Sequence, residues 1–416
     1  MTNDPDDASG LIHDWAATGP YRFEAHAGVR INDETLREGL QSASVVDPPI
    51  EAKLEILHLM EALGIECASM GLPCAGQRQK LETARLCREI ADGGLKLRPN
   101  LGGRTVRSDV EAIIDVAQQV GYSLEACLFI GSSPIRQYAQ EWNLAQMLGH
   151  TRDCVGLAVK AGLSVTYITE DTARSSPEHL EVLLRAAVDA GATRVCLCDT
   201  VGGAIPAGVR NLVGWVRERL ELWQAEVEID WHGHRDRDLG LANTLAAIEA
   251  GATRVHGTAY GLGERVGNTS TESILVNLKL LGLRDADLSR LQEYVETVTR
   301  ALGVKIAGSA PVVGANAFRT AAGVHAAAIL KALQKQQGWL ADQVYSGIPA
   351  GWLGRRQEVE IGPLSGRSNV LHFLLRHERE AEPAAIEAVL KAAKQSKRVL
   401  TDAEVLAILD QPGETA

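Results

Sequence analysis

Two histidines two positions apart give the first indication of chemistry in this sequence. His232 and His234 lie in the segment DWHGHRD, at the end of the candidate strand VEIDWHG. Side chains at positions i and i+2 of a strand point to the same face, so both imidazoles can reach one metal ion. Glu38, in INDETLREGLQ, and Asn268, at the end of GLGERVGN, offer a carboxylate and an amide oxygen. Together the four side chains would form a mixed nitrogen and oxygen site with room for a substrate.

Such a site requires distant segments to converge, and the pattern of elements indicates how they do so. From Val29 onward, short apolar and β-branched runs alternate with amphipathic segments of helical length. The candidate strands are VRIND, IECASMG, LKLRPNL, EACLFIG, LSVTYIT, TRVCLCD, VEIDWHG and TRVHGTA. Eight strands separated by helices are typical of parallel βα units. We expect Ser176 and Ser108 to cap two of these helices.

An internal repeat favours closure of the predicted sheet. The segment AGATRV occurs at 190–195 and again at 250–255, each time between a helix and a strand, and no GxGxxG follows the first strand. Both observations favour a closed barrel over an open doubly wound sheet. We therefore predict an α/β protein with a (β/α)8 TIM barrel over 29–285, preceded by an N-terminal extension at 1–28. A mainly helical C-terminal region follows at 286–416, with its last two helices near 367–379 and 383–410.

In a barrel of this kind, the carboxyl ends of the strands form the active face. The candidate residues all follow predicted strands at that end, and we expect them to share one rim: Arg37 and Glu38, Arg104, Glu170, Thr200, His232 and His234, and Asn268.

Composition narrows the classes of partner. The 42 Lys and Arg residues against 53 Asp and Glu give a net charge of −11 without a basic stripe, so we expect no nucleic-acid partner. No apolar run approaches the ~18 residues of a membrane span, and the acidic start MTNDPDDASG is not typical of a signal peptide. The seven cysteines are irregularly spaced, which favours free thiols over disulfides or a zinc ribbon. We expect a cytoplasmic protein that does not bind membranes.

Five motifs, in order, resemble one family. DETLREGLQ, the HGH pair, GLGERVGN, AFRTAAGVHAAAIL and GPLSGRSN are similar to motifs of the 2-isopropylmalate synthase and homocitrate synthase family, in the DRE-TIM metallolyase superfamily, over roughly 30–370. The resemblance implies a TIM barrel on which a divalent metal ion (Mg, Mn or Zn) holds a 2-oxo acid. Acetyl-CoA supplies a carbanion, and hydrolysis of the thioester gives CoA and a 2-hydroxy dicarboxylic or tricarboxylic acid.

The resemblance also implies roles for individual residues. It makes Glu38, His232, His234 and Asn268 the metal ligands, Arg37 the catalytic arginine, and His325 the general base or its relay. Glu170 in TEDTARS would hold a proton or orient water, Tyr345 would be a catalytic tyrosine from the second domain, and Arg104 and Thr200 would bind the 2-oxo acid. A cation such as Arg37 can offset the alkoxide that forms on attack, and a neutral imidazole suits proton abstraction at pH 7. Asp33 is interpreted as a structural hydrogen-bond acceptor.

The family places its catalytic histidine on the partner's helical domain, so the resemblance implies a homodimer in which residues 286–416 complete the active site in trans. The substrate stays open. Glu38 matches the acid of homocitrate synthases, whereas EACLFIGSSPIR resembles a run of isopropylmalate synthases, with Cys127 where a histidine is usual.

Alternatives remain at this point. A metal-dependent acyl-CoA lyase of the hydroxymethylglutaryl-CoA lyase type uses the same barrel, although such lyases resemble a bare barrel with a cysteine-bearing loop that this sequence lacks. A catalytically silent barrel that serves as a binding module is a third class. Among single residues, His325 competes with a core histidine, Arg104 with a simple ion pair to Asp109, and Tyr345 with packing.

Overall fold

The computed structural model describes residues 11–15, 18, 23, 25 and 28–411. The predicted N-terminal extension at 1–28 therefore lies largely outside the described residues. The chain forms two compact units, one spanning Phe23–Lys305 and the other made mainly of Ile306–Ala416. Within the described part of the chain, no helix combines the length and apolarity that crossing a membrane requires.

The first unit is a closed barrel of eight parallel strands in chain order, with the eighth strand hydrogen-bonded to the first. Each predicted strand is present, which confirms the (β/α)8 fold. The strands are β1 (Arg30–Asp33), β2 (Cys67–Ser69), β3 (Arg98–Arg104), β4 (Glu125–Gly131), β5 (Ser164–Glu170), β6 (Arg194–Asp199), β7 (Glu228–Gly233) and β8 (Arg254–Gly257).

Amphipathic helices connect the strands, two more follow the last strand, and they bury their apolar faces against the barrel. They are α1 (Ile50–Ala62), α2 (Gln77–Asp92), α3 (Arg107–Val120), α4 (Pro134–Gln140), α5 (Leu144–Lys160), α6 (Pro177–Asp189), α7 (Pro206–Leu222), α8 (Gly240–Ala250), α9 (Thr271–Leu280) and α10 (Leu291–Ala301). Ser176 caps α6 as predicted, because its side chain accepts the backbone N–H of His179. The predicted cap at Ser108 is wrong: α3 begins at Arg107 after an extended Val106.

The barrel interior is polar near the amino ends of the strands. Arg254 donates from Nε to Asp230 Oδ2 at 2.7 Å and from Nη1 to Glu125 Oε2 at 2.8 Å. Arg194 joins this group by donating from Nε to Asp230 Oδ1 at 2.8 Å. Arg254 and Asp230 are 1% and 0% exposed, so their charges are stabilised by each other rather than by water. This ionic layer forms the floor beneath the carboxyl-end mouth.

Helix α10 belongs to the barrel unit. The hydroxyl of its Tyr294 donates to Asp33 Oδ2 at 2.6 Å, and the hydroxyl of Thr271 donates to the same oxygen at 2.9 Å. Asp33 also accepts the backbone N–H of Thr35 at 2.8 Å, which agrees with its interpretation as a structural acceptor. These bonds extend the compact unit to Lys305, whereas our predicted domain boundary lies at 285.

The second unit is mainly helical, as predicted. It contains α11 (Gly323–Gln334), α12 (Gly338–Gln343), α13 (Arg367–Arg376), α14 (Pro383–Gln395), α15 (Asp402–Leu409) and the short parallel strands β9 (Arg319–Thr320) and β10 (Glu358–Val359). The predicted single helix over 383–410 is wrong. Helix α14 ends before Ser396, whose backbone is extended, and α15 starts anew behind a capping box between Thr401 and Glu404.

Candidate active site

Three of the four predicted metal ligands meet within one cluster at the carboxyl-end mouth of the barrel. His232 Nε2 lies 3.3 Å from His234 Nε2, and His234 Nε2 lies 3.6 Å from Glu38 Oε1. The ligand atoms of Glu38, His232 and His234 all lie within 4.8 Å of one another. Asn268 completes the cluster, since its amide nitrogen lies 3.3 Å from His232 Nε2. All four side chains are buried.

The elements explain this convergence. His232 belongs to β7, and His234 follows directly after it, so the strand's period of two directs both rings into the mouth. Asn268 is positioned by the loop GLGERVGN, which folds back on itself. A Cβ atom at Gly263 would lie 2.1 Å from Asn268 Oδ1, and one at Gly267 would lie 1.8 Å from Gly261 O. Both glycines have φ between +90° and +150°, so no other residue could replace them without strain.

The chemistry of these side chains fits a divalent cation. Asn268 Oδ1 and His234 Nδ1 are buried atoms without a hydrogen-bond partner, although buried polar atoms are normally paired. Rotation of the Asn268 amide by half a turn exchanges its nitrogen and oxygen. The amide oxygen, which is the proposed ligand atom, then faces His232. The resulting set of one carboxylate, two imidazoles and one amide oxygen suits zinc, manganese or magnesium, in order of decreasing preference for nitrogen ligands.

Arg37 lies beside this cluster in the same cavity. Its guanidinium donates from Nη1 to Glu38 Oε2 at 2.7 Å and from Nη2 to Glu34 Oε1 at 2.6 Å. Burial alone would lower the pKa of Arg37, but the two carboxylates outweigh it and raise the pKa above its ordinary value. Arg37 is therefore a fixed positive charge at the mouth.

Sequence reasoning missed two residues of this site, Glu34 and His256. Glu34 Oε2 accepts from His232 Nδ1 at 2.7 Å, and His256 Nδ1 lies 3.3 Å from Glu34 Oε1. A signal was present, because the period of two that points Asp230 and His232 inward on β7 also points Arg254 and His256 inward on β8. Glu34, His232 and His256 form a second group with the spacing of metal ligands.

The charges of these groups are strongly shaped by their surroundings. Burial would raise the pKa of Glu34, yet Arg37, His256 and His232 hold it well below its usual range, so Glu34 is a carboxylate. Burial, and after it the charges of His232 and Arg265, lower the pKa of His234 to about 3. His234 is therefore a neutral imidazole, which is the form that coordinates metals.

These residues line a cavity of about 300 Å³. Among the predicted residues, Arg37, Glu38, Glu170, Thr200, His232 and His234 line it. Glu170 is partly buried, which raises the pKa of its carboxyl group despite Arg136, whose Nε lies 3.2 Å away. The Thr200 hydroxyl accepts the backbone N–H of Asp171 at 2.8 Å. The remaining wall includes Phe129, Ile168 and three thiols, Cys127, Cys196 and Cys198.

All seven cysteines are free thiols, as expected from the sequence. Burial raises the pKa of Cys127 and Cys196 well above the ordinary value, so both remain protonated at neutral pH. A protonated thiol is a poor metal ligand. Cys127 and Cys196 therefore contribute no thiolate to compete with the histidines.

Arg104 is placed differently. It lies at the end of β3, but its guanidinium forms two bonds to Asp109, at 2.8 Å from Nε and 3.0 Å from Nη2. Its side chain is 62% exposed, and it is not among the residues that line the cavity. This geometry favours the ion-pair interpretation of Arg104.

His325 and Tyr345 lie in the second unit, where they contact each other. Their rings stack at a centroid distance of 3.9 Å and an interplanar angle of 23°. His325 Nδ1 lies 3.2 Å from the Thr320 hydroxyl, and Tyr345 is 47% exposed. The stacked pair is only partly buried in the helical unit.

Comparison with known proteins identifies the family. The HMGL-like family model matches residues 28–298, which is the barrel with α10. Homocitrate synthase AksA of Methanopyrus kandleri is 33% identical over 369 residues, covering 88% of this chain and 87% of that protein. 2-Isopropylmalate synthase 2 of Caldanaerobacter subterraneus subsp. tengcongensis is 30% identical over 395 residues, covering 92% of this chain and 96% of that protein.

Among solved structures, HMG-CoA lyase of Bacillus subtilis shares the fold at a TM-score of 0.56 and 20% identity. That match covers 68% of this chain and 96% of the lyase. The barrel, the motifs and these relatives show that the chain belongs to the HMGL-like family.

Proposed function

We propose that this protein catalyses a metal-dependent, Claisen-type condensation of acetyl-CoA with a 2-oxo acid, followed by hydrolysis of the thioester. The observation that carries the proposal is the convergence of Glu38, His232 and His234 beside Arg37 in one cavity. Relatives named homocitrate synthase and 2-isopropylmalate synthase, similar over most of the chain, support the same reaction class.

In this proposal Glu38, His232, His234 and Asn268 hold a divalent cation. When bound, the cation supplies a Lewis acid that polarises the keto group of the 2-oxo acid. The Arg37 guanidinium stabilises the negative charge that develops on the keto oxygen as the new carbon–carbon bond forms. Its two carboxylate partners hold it in place before the substrate arrives, so little reorganisation accompanies the reaction.

Two further groups would move protons. The methyl group of acetyl-CoA is a very weak acid, so a positioned base has to remove a proton from it, and we assign this role to His325 with Tyr345 beside it. Glu170 borders the cavity, and its raised pKa suits a group that holds a proton or orients water during thioester hydrolysis. Thr200 is a candidate donor to the carboxylate of the 2-oxo acid.

The alternative, an acyl-CoA lyase, is less well supported. The lyase of Bacillus subtilis is matched over 96% of its length but leaves about a third of this chain unmatched. The two synthases, in contrast, match 88% and 92% of this chain. The larger share matched by the synthases supports the synthase reaction.

The finer parts of the proposal are a homodimer with sites completed in trans, a cytoplasmic location, and magnesium, manganese or zinc as the metal. The family resemblance of the motif AGVHAAAIL around His325 supports the dimer. The seven free thiols support a reducing compartment. Nucleic acids and membranes have no part in the proposed activity.

Thiol release from acetyl-CoA tests the proposed reaction. The metal-loaded protein is assayed with pyruvate, 2-oxoisovalerate, 2-oxoglutarate, oxaloacetate and phosphonate analogues, and CoA is detected with a thiol reagent. We expect one strongly preferred 2-oxo acid and loss of the signal after chelation of the metal. CoA release that is equal with and without every 2-oxo acid would refute the condensation, and cleavage of a 3-hydroxyacyl-CoA instead would favour the lyase.

A further inference from the structure

We propose that Glu34 is a positioning residue that holds the metal ligand His232 and the catalytic Arg37 in their working orientations through one carboxylate. The inference rests on the metal centre of the proposed function. It adds a residue outside the ligand set Glu38, His232, His234 and Asn268.

Glu34 sets the position of the proton on His232. Glu34 Oε2 lies 2.7 Å from His232 Nδ1, and a carboxylate can only accept a hydrogen bond, so Nδ1 carries the proton. The lone pair of a neutral imidazole then lies on Nε2. That atom is the one that faces the other ligands, at 3.3 Å from His234 Nε2. Glu34 thereby selects the tautomer that can coordinate a cation in the cluster.

Glu34 also holds the guanidinium of Arg37. The other oxygen of Glu34 accepts from Arg37 Nη2 at 2.6 Å, while Glu38 accepts from Nη1 at 2.7 Å. Arg37 is thus held from two sides, and one of its partners also orients a metal ligand. Glu34 is 3% exposed, so water does not compete for either bond. A single buried carboxylate therefore couples the position of the metal ligand to the position of the arginine.

A second metal ion at Glu34, His232 and His256 would be another interpretation of the same group. The contacts argue against it. Arg37 occupies one oxygen of Glu34 and His232 occupies the other, so both oxygens already have cationic or N–H partners. His256 is turned to the floor, with Nε2 3.2 Å from Asp230 Oδ2. A divalent cation bound here would compete with the Arg37 guanidinium for Glu34 and would be repelled by its positive charge.

Metal titration of the full-length chain tests this assignment. Calorimetric titration with Mn²⁺ or Zn²⁺ alone should give one ion per chain. Glu34→Gln should bind that ion about 10 to 100 times more weakly, which is the usual loss when a partner of a ligating histidine is removed. Glutamine keeps the size of the side chain, but its amide can accept from only one of the two donors and opposes the other with an N–H group.

A matched control separates this effect from general destabilisation. Glu61→Gln alters another carboxylate that accepts backbone N–H groups, those of Lys96 and Leu97, on the outer side of the barrel. Its metal affinity should equal that of the wild type. Equal affinity of Glu34→Gln and wild type, or two ions per chain with one lost in His256→Gln, would overturn the inference.

The tautomer of His232 can be measured directly in the wild-type protein. In ¹⁵N spectra of the metal-free protein labelled at histidine, the resonances absent from His232→Gln identify His232. They should show a protonated Nδ1 and an unprotonated Nε2, and the opposite tautomer would overturn the inference. Because these readouts need no substrate, they remain decisive if the condensation assay fails. Absence of metal binding by the wild type would instead count against the proposed function.

Discussion

His232 and His234, which we propose as metal ligands, differ in their surroundings. His232 is held by a carboxylate partner on Nδ1, whereas the Nδ1 of His234 is buried without a partner. Burial and neighbouring positive charge keep the pKa of His234 at about 3. An imidazole that remains neutral throughout the physiological range is ready to coordinate a cation without first losing a proton.

Removal of His234 should therefore abolish metal loading and turnover together. For His234→Gln we expect a loss of affinity larger than the ~10 to 100-fold loss that follows removal of a ligand's outer partner, because a direct ligand is lost. Metal content after gel filtration, measured by plasma mass spectrometry, checks this. His58→Gln is the control, since His58 is an exposed histidine paired with Glu89 on the outside of the barrel. A His234→Gln protein that retained its metal would remove this residue from the ligand set.

The clustering of the proposed ligands could be predicted from the sequence, but their neighbours could not. HGH carries its own signal in its spacing, whereas Glu34 beside Arg37 looks like part of a solvated turn. Only closure of the barrel places β1 against β8, where Asn32 is paired with His256 across 224 positions of sequence. The period of two along β8 offered a signal for His256, but its contact with Glu34 is non-local and has no local sequence signal.

At the scale of elements, the periodicity of the sequence predicted the strands and helices, but it predicted the ends of the helices less well. The eight strands follow from short β-branched runs, and their order follows from the helices between them. The end of α14 was missed because an alanine-rich, lysine-rich segment continues the helical pattern up to Ser396. The signal for a new helix was the capping box Thr401 to Glu404, which is short and easily overlooked within a long periodic segment.

One buried acid at the start of α9 makes the stability of the barrel depend on pH. Glu272 accepts the backbone N–H of Tyr260 at 3.0 Å and is 3% exposed. Burial raises the pKa of its carboxyl group from 4.5 to about 7. The folded protein therefore binds this proton more tightly than the unfolded chain. The resulting stabilisation is present at low pH and is lost as the pH rises from about 4.5 to about 7.

Glu272→Gln should remove this dependence, because glutamine has no proton to lose and its oxygen can still accept from Tyr260. Relative to wild type, the free energy of unfolding of the variant should be higher by less than about 1 kcal/mol at pH 5 and by about 3 kcal/mol at pH 8, at about 1.4 kcal/mol per pKa unit. The difference in free energy of unfolding between variant and wild type is measured in urea at both pH values. For Glu178→Gln, at an exposed position in α6, this difference should not grow with pH. A difference that stays constant in Glu272→Gln would contradict the prediction.

At the scale of the molecule, the proposed function assigns roles to residues of both compact units. Arg37 belongs to the barrel unit, and His325 belongs to the helical unit. If two chains exchange their helical units at each other's barrels, a site is assembled from Arg37 of one chain and His325 of the other. Variants that each lack one of these residues should then complement each other.

Co-expression of Arg37→Ala and His325→Ala chains tests this. Random pairing in a two-fold symmetric dimer gives half heterodimers, each with one intact site in two, so about a quarter of wild-type activity should return. Two affinity tags confirm that heterodimers form, and each variant alone should remain inactive. Isolated heterodimers without activity would show that the sites are not shared.

The ionic layer lies directly beneath the cavity. Arg254 and Asp230 have almost no exposed surface, so they fill the barrel axis at this level. His256 links this layer to the cavity, because its Nε2 lies 3.2 Å from Asp230 Oδ2 and its Nδ1 lies 3.3 Å from Glu34 Oε1. A substitution that removes the charge of Asp230 should therefore alter the electrostatic environment of Glu34 at the cavity.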